Sequence, residues 1–380
     1  MNNPGYTLWH DTATDLLDLD VNVVDESEAL ALGKRLGKNK TFQRLNIKMN
    51  DLRNDRHCNF LIWLFCGISR NRMIREVIFT GVDFCTDRTF FSIALKKWLL
   101  CNDRLQKISF SNCSFHGISQ IVVLGQSLSS PHIRDVCFRC IDFTSISRRR
   151  SLAMAYISQI FHGKSINFIQ CFLLPSQLRE LIRGLSEGNH PSILSLEGNR
   201  SQLNRSACRL LNKELTNHTG IPTLNPPISV LSLRGCVCGD NGVSALLARG
   251  LEPIALVHLN LCRCNITDKG CAVIASMLRD LRAPLLKKLV LSQNRINDQG
   301  AILIAEALSA NSVLRNLSIS NSYGRISEHS WLAFQQVLFN DQSSLAITTS
   351  NHALTSLALN AAESQTFQKR PKYSWMIYFL

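Results

Sequence analysis

The sequence predicts an α/β solenoid, in which one strand-and-helix unit is repeated along the chain. The first observation is a change of apolar period within residues 289–308, LVLSQNRINDQGAILIAEAL. Apolar residues alternate at Leu289 and Leu291, and later they recur every three or four positions, as at Ile304 and Leu308. Alternation is typical of a half-buried strand, and a period of about 3.6 is typical of an amphipathic helix. One strand and one helix cannot bury both faces alone, whereas stacked copies of the pair can.

The second observation is that this unit recurs in phase. Its strand half fits the template L-x-x-L-x-L-x-x-N-x-I, and the template fits twelve segments of the chain. They start at residues 14, 42, 74, 105, 133, 163, 191, 228, 256, 286, 314 and 354, and the commonest step between starts is 28 residues. A strand, two loops and a helix of three turns need about that length.

The template also predicts the organisation of the chain. One continuous array is expected over 14–362, with a lead-in at 1–13 and a basic, aromatic tail at 363–380. The two longest steps contain the insertions 217–227 and 343–353. An open solenoid end exposes apolar core, so we expect the apolar end of the tail to act as a cap.

Each helix is expected to begin at a capped turn. In the copy quoted above, Asn297 or Asp298 is predicted to cap the helix N-terminus. Gly300 is expected to relax the backbone at the helix entry.

The side chain at the ninth template position is predicted to fix the conformation of the loop that follows each strand. A buried Asn there can bond loop backbone groups with its amide, and a Cys can fill the slot as a small apolar residue with a weak donor. Eight of the twelve copies obey this rule: Asn22, Asn50, Cys113, Cys171, Asn199, Cys236, Cys264 and Asn294.

The template resembles that of the leucine-rich-repeat family, and the long unit resembles its ribonuclease-inhibitor-like branch. The resemblance extends from about Thr14 to Ala362 and rests on twelve copies in phase. It implies an α/β leucine-rich-repeat solenoid, a horseshoe with short parallel strands on the concave face and helices on the convex face. It also implies recognition of a protein partner without catalysis.

Composition places the chain among globular proteins. Hydrophobic residues make up 45%, charged residues 18%, and the formal net charge is +14. The densest apolar stretch, residues 60–68, is shorter than the ~20 residues of a membrane span, and we expect a buried helix there. The N-terminal residues lack the basic leader of a signal peptide. The 14 cysteines are therefore expected to be reduced thiols in the cytoplasm or the nucleus.

Cysteine pairs at 236–238, 262–264 and 137–140 raise the hypothesis of a zinc site. Cys262 is expected to face the concave surface while Cys264 points inward, so four sulfurs are hard to bring to one ion. The pattern favours cysteines in the family's ninth-position slot, and no metal is predicted.

Two other motifs are better explained structurally. GKRLGKNKT, residues 33–41, resembles a phosphate loop, but Asn39 stands where Ser or Thr should bind magnesium, and the segment falls at the end of a predicted helix. The basic runs 148–150 and 369–372 are typical of solvated surface. No spacing indicates a nucleophile site, so neither catalysis nor a cofactor is predicted.

Template positions three, five and seven are predicted to line the concave face. Of these 36 residues, six are Lys or Arg and five are Asp or Glu, so most of the basic excess must lie on loops, helices and tail. This distribution disfavours a nucleic-acid groove. None of the 36 is Phe, Trp or Tyr, which favours a modest polar contact with a protein. The residues predicted to bind the partner are Arg44, Lys48, Lys107, Arg139, Arg234, His258, Asn260, Lys288 and Asn316.

The predicted function is a non-catalytic scaffold that holds a protein on its concave face or on its loop rims. Three further functions are compatible with the resemblance: a regulator of a small GTPase like the Ran GTPase-activating protein, a cytoskeletal or axonemal scaffold subunit, and the sensor array of a NOD-like receptor. The basic tail disfavours the first. The chain contains no nucleotide-binding domain, so the third would require a fragment or a divergent relative. The sequence does not specify the partner or the oligomeric state.

Overall fold

The computed structural model describes most of the chain. Outside the described residues lie 1–5, 12, 14, 22–25, 50–55, 70, 85–88, 116–117, 144–156, 158–162, 186–190, 200–202, 217–227, 249–252, 321–325, 339–349, 352 and 360–380. The predictions for Asn22, Asn50, the insertion 217–227 and the tail 363–380 therefore fall outside the described residues, as does most of the insertion 343–353.

The chain forms two compact units, Met1–Ser192 and Ile193–Leu380. The described strands of the first unit are β1 Tyr6–Asp11, β2 Leu16–Val21, β3 Arg44–Met49, β4 Glu76–Thr80, β5 Lys107–Ser111, β6 Asp135–Arg139 and β7 Ser165–Ile169. Its helices are α1 Glu26–Lys38, α2 Arg56–Ile68, α3 Thr89–Cys101, α4 Ile118–Leu128 and α5 Pro175–Leu185. Strands and helices alternate from β2 to β6 and again from β7, and most of the residues between β6 and β7 lie outside the described residues.

The second unit has the same alternation with shorter strands. These are β8 Ile193–Ser195, β9 Val230–Ser232, β10 His258–Asn260, β11 Lys288–Val290, β12 Asn316–Ser318 and β13 Ser356–Ala358. Its helices are α6 Arg205–Thr216, α7 Gly239–Leu246, α8 Asp268–Arg279, α9 Asp298–Leu308 and α10 Glu328–Leu338.

Strand register confirms the predicted fold class. In the first unit the third template positions pair in parallel from Leu16 through Arg44, Glu76 and Lys107 to Asp135. In the second unit the same positions pair from Ile193 to Ser356. The exception is β1, which pairs antiparallel with β2. The template did not predict this strand, which lies in the lead-in.

An aromatic stack forms part of the core of the first unit. Phe79, Phe110, Phe138 and Phe168 occupy the inward sixth template position of successive strands. Their ring centroids are 5.4, 5.4 and 5.2 Å apart, close to the strand spacing. Each ring is fully buried, so the stack stabilises the parallel register directly.

The ninth template position binds loop backbone where it is Asn. The Asn294 amide donates to the carbonyls of Leu261 at 2.8 Å and Leu291 at 2.7 Å. Its Oδ1 accepts from the backbone N–H groups of Cys264 at 2.9 Å and Ile266 at 3.1 Å. Asn294 therefore connects its own loop to the loop of the preceding repeat.

Cysteines at the ninth position are buried thiols. The Sγ atoms of Cys113, Cys171, Cys236 and Cys264 donate to carbonyl oxygens of the preceding repeat at 3.4, 3.3, 2.7 and 3.0 Å. Burial raises the pKa of the Cys113, Cys171 and Cys236 thiols to about 12. These side chains consequently remain protonated donors at neutral pH.

The glycines of GKRLGKNKT allow α1 and α2 to pack closely. A Cβ on Gly33 would lie 2.5 Å from the carbonyl oxygen of Leu64, and one on Gly67 would lie 2.5 Å from the carbonyl carbon of Gly33. A Cβ on Gly37 would lie 2.8 Å from the Gly67 carbonyl oxygen. The motif therefore serves helix packing, in a helix that ends at Lys38.

The N-terminus of α9 is capped by the neighbouring repeat, which corrects the prediction of a local cap at Asn297 or Asp298. Asn297 occupies the N-cap position of α9, but its side chain makes no capping bond. Instead, Asp268 Oδ1 accepts from the N–H groups of Asn297 at 2.8 Å and Gly300 at 3.1 Å. A Cβ on Gly300 would lie 2.4 Å from that oxygen, so glycine provides the space for the carboxylate. Asp298 in turn accepts from Ser327 of the next repeat.

The stretch 60–68 lies within α2, where Phe60, Leu64 and Phe65 are buried while Trp63 is exposed. In the part of the chain that the structure describes, no helix has the length and the apolar character needed to cross a bilayer.

Candidate functional site

The candidate site is the exposed side of the sheet in each unit, here called the strand face. It consists of template positions three, five and seven, because the alternate residues of each strand point into the core. In the first unit the predicted residues Arg44, Lys48, Lys107 and Arg139 lie on this face at or near the surface. Their role in partner binding remains a prediction.

In the first unit an ion-pair network joins three neighbouring strands. Glu76 accepts from Arg44 Nε at 2.8 Å through one oxygen and lies 3.0 Å from Lys107 Nζ through the other. Asp18 contacts Lys48 Nζ at 2.9 Å and the Asn46 amide at 2.8 Å. Such partly exposed pairs each contribute at most about 1 kcal/mol. Their larger effect is to fix the direction of long side chains before any partner arrives.

Asp135 extends this network to the next strand. Burial raises the pKa of the Asp135 carboxyl, and the positive charge of Lys107 partly offsets that effect. The Asn167 amide donates to Asp135 Oδ1 at 2.9 Å. Arg139, at the end of the same strand, is exposed.

The strand face of the second unit has little charge. His258 is half-buried, and its pKa is lowered by burial and by the nearby charge of Lys288. Its Nε2 has no hydrogen-bond partner. Asn260 Oδ1 accepts from the Cys262 N–H at 3.1 Å. Arg234 and Lys288 are exposed, so they supply the positive charge of an otherwise polar surface.

Asn316 lies beside a small cluster of hydroxyl groups. It is half-buried and precedes Ser318 by two positions on β12. The Ser292 hydroxyl lies 2.5 Å from that of Ser318 and 3.1 Å from that of Ser320. The hydroxyl groups of this cluster are uncharged and can act as donors and acceptors.

The cysteine pairs that raised the hypothesis of a zinc site were not predicted to bind a metal. Among the residues that the structure describes, no group of three His, Cys, Asp or Glu side chains is placed to hold a metal ion. Cys262 lies towards the strand face, where its Sγ is 3.7 Å from Gln293 Oε1, whereas Cys264 Sγ donates to the core-side carbonyl of Leu233. The two sulfurs therefore lie in different environments and do not face a common point.

One cleft lies next to the strand face of the first unit. It has a volume of about 300 Å³ and is lined by Asp15, Gln43, Arg44, Arg75, Glu76, Gln106 and Lys107. Gln43, Arg75 and Gln106 occupy the second template position, just before each strand begins. Reasoning from the template missed them because it assigned function to positions three, five and seven. The signal that could have found Arg75 is the basic excess expected on loops, and no signal in the sequence pointed to the two glutamines.

A family model described as Leucine Rich repeat matches residues 255–275 and 283–305, two adjacent copies of the template. This match covers a small part of the chain. The alternation and the strand register described above are those of an α/β leucine-rich-repeat solenoid.

Parts of the chain are similar to known proteins. The ribonuclease inhibitor of Sus scrofa is 39% identical over 85 residues, which is 22% of this chain and 18% of the inhibitor. That of Mus musculus is 30% identical over 125 residues, 33% of this chain and 27% of the inhibitor. The Macaca mulatta protein named NACHT, LRR and PYD domains-containing protein 3 is 30% identical over 139 residues, 35% of this chain and 13% of that protein. Each of these alignments spans less than a third of the relative's length.

Proposed function

We propose that the protein is a non-catalytic recognition scaffold that holds another protein on its strand face or on the adjacent loops. The observation that carries this proposal is the register, which aligns the third, fifth and seventh positions of successive strands into one exposed surface in each unit. Ion pairs such as Arg44–Glu76–Lys107 hold that surface in place. A preorganised surface loses less side-chain entropy when it binds.

One further observation supports a binding role. The relatives include proteins named as inhibitors of ribonuclease, which is itself a protein. The proposed scaffold needs no cofactor.

Affinity capture from cell extract tests the proposal. Wild-type bait is compared with the double variant Arg234→Glu and Lys288→Glu, which reverses two exposed charges of the strand face. The matched control is Arg179→Glu and Arg209→Glu, which reverses two exposed charges on α5 and α6. Loss of a prey from the first variant alone supports a strand-face site. Identical prey lists for all three baits would exclude the strand face of the second unit, and absence of any prey from the wild-type bait would overturn the recognition function.

A receptor sensor array is the second candidate, and the similarity to the Macaca mulatta protein favours it over a GTPase regulator or a cytoskeletal subunit. In that case the strand face would bind a regulatory ligand or another part of a larger receptor. A regulator of a small GTPase would instead accelerate GTP hydrolysis by its target. A scaffold or a sensor array should leave the hydrolysis rate unchanged.

A further inference from the structure

The loops that join each helix to the next strand form a basic edge in the first unit. Their exposed basic residues, within the part of the chain that the structure describes and counting the last residue of α1, are Lys38, Lys40, Arg72, Arg75, Arg104 and Arg134. All six precede the strands β3 to β6. Because these strands are parallel, their N-terminal ends meet at one edge of the sheet.

Backbone hydrogen bonds place these loops side by side. The Arg75 N–H donates to the Gln43 carbonyl at 2.7 Å, the Gln106 N–H to the Arg75 carbonyl at 2.8 Å, and the Arg134 N–H to the Gln106 carbonyl at 2.8 Å. Successive loops are therefore about one strand spacing apart, ~4.8 Å. The positive charges form a row along one edge of the sheet.

The charge of this row is not neutralised within the described residues. None of its six members forms an ion pair there, and Asp103 is the exposed acidic residue of the same loops. On the neighbouring strand face, by contrast, Arg44 and Lys107 each form an ion pair with Glu76. Like charges at such spacing repel one another, and a negatively charged partner would relieve that repulsion.

The cleft of about 300 Å³ opens at this edge and adds polar groups to the charge. Gln43 and Gln106 provide amide donors and acceptors, and Arg75 provides a fork of N–H donors that suits a carboxylate. Asp15 and Glu76 also line it and provide acceptors for N–H groups. The lining therefore has partners both for acidic side chains and for a peptide backbone.

We propose that the basic edge and its cleft bind an extended, Asp- and Glu-rich segment of a protein partner. This inference rests on the proposed recognition function and names the chemistry of the partner. A nucleic acid fits less well, because the described residues of these loops expose no Phe, Trp or Tyr on which bases could stack.

Fluorescence anisotropy tests the inference on the full chain. The probe is a fluorescein-labelled peptide of about ten glutamates, compared with an oligothymidine of about ten nucleotides at the same ionic strength. The variant Arg75→Glu and Arg134→Glu reverses two charges of the edge, and Arg179→Glu and Arg209→Glu is the control with the same change of net charge. Thermal unfolding confirms that each variant is folded.

We expect the glutamate peptide to bind wild type and the control alike, and to bind the edge variant about 10-fold more weakly. Equal weakening in both variants would overturn the inference, since net charge alone would then account for binding. Absence of binding to wild type, or tighter binding of the oligothymidine, would overturn it as well. Capture of no prey by the wild-type bait would instead remove the recognition function, whatever the glutamate peptide does.

Discussion

Asn294 shows how a single buried amide connects two repeats. Its four hydrogen bonds reach Leu261, Leu291, Cys264 and Ile266, and none of its surface is exposed to solvent. These backbone groups belong to loops, where no regular pattern of backbone hydrogen bonds is available to them. The side chain thus substitutes for secondary structure at the point where the strand ends.

Replacement of Asn294 by Ala should destabilise the second unit by about 3 kcal/mol, because buried backbone groups lose their partners. Replacement by Cys should cost less, since Cys236 and Cys264 occupy the same slot in the preceding repeats. Urea unfolding measures both. Gln299→Ala, at an exposed position of α9, serves as the control and should change the free energy of unfolding by no more than about 0.5 kcal/mol. An equal effect of the Ala and Cys substitutions would contradict this account of the slot.

Helices in the two units are positioned by different means. In the first unit α1 and α2 approach through Gly33, Gly37 and Gly67, whose missing side chains bring backbone against backbone. In the second unit Asp268 reaches from the start of α8 to the start of α9. Carboxylates are favourable at helix N-termini because they accept from otherwise unpaired N–H groups and oppose the helix dipole.

The substitution Gly33→Ala should destabilise the first unit even though Ala is the better helix former by about 1 kcal/mol. Its Cβ would lie 2.5 Å from the Leu64 carbonyl oxygen, so α1 and α2 would have to move apart. We expect a net loss of about 2 kcal/mol, measured by thermal unfolding. Lys34→Ala, at the adjacent exposed position, is the control. An unchanged or raised melting temperature for Gly33→Ala would show that the helices can separate at no cost.

At the scale of the whole molecule, charge and thiols are distributed unevenly. The net charge is +14, yet in the first unit the strand face is balanced by its own ion pairs while the neighbouring loop edge is not. Cysteines are mostly interior: Cys113, Cys171, Cys208, Cys236 and Cys271 are buried, whereas Cys66 is exposed.

The buried thiols predict a loss of stability at alkaline pH. Burial raises the pKa of Cys113, Cys171, Cys208, Cys236 and Cys271 from 9.0 to about 12. Between these values the unfolded chain has lost protons that the folded chain retains. The free energy of unfolding should therefore fall as pH rises from 9 to 12, by about 1.4 kcal/mol per pH unit for each thiol, and these thiols should have no such effect below pH 9.

Urea unfolding in the presence of a reductant, repeated at several pH values above 9, measures that slope. Cys113→Ala should reduce this slope by about 1.4 kcal/mol per pH unit, which corresponds to one proton. Cys66→Ala, which removes an exposed thiol, should leave it unchanged. If both variants kept the wild-type slope, groups other than the buried thiols would account for the alkaline loss of stability.

Repeat length, phase and the polarity of each slot could be predicted from sequence alone. These properties depend on residues a few positions apart, so the periods at Leu289–Leu291 and at Ile304–Leu308 were sufficient to predict strand and helix. The same local pattern predicted the ninth-position slot occupied by Asn294. It did not predict β1, because β1 lies outside the repeat and is defined by its antiparallel pairing with β2.

The tertiary structure was needed wherever a side chain acts on the next repeat. Asp268 caps a helix 29 residues away, Gly33 admits the backbone of α2, and Arg75 lies beside Gln43 and Gln106 because their strands are neighbours. None of these contacts produces a periodic pattern in the sequence, because each depends on how two copies of the unit stack. Stacking also decided which charges pair on the strand face and which remain unpaired on the basic edge. Coulomb interactions depend on distance in space and not on separation along the chain.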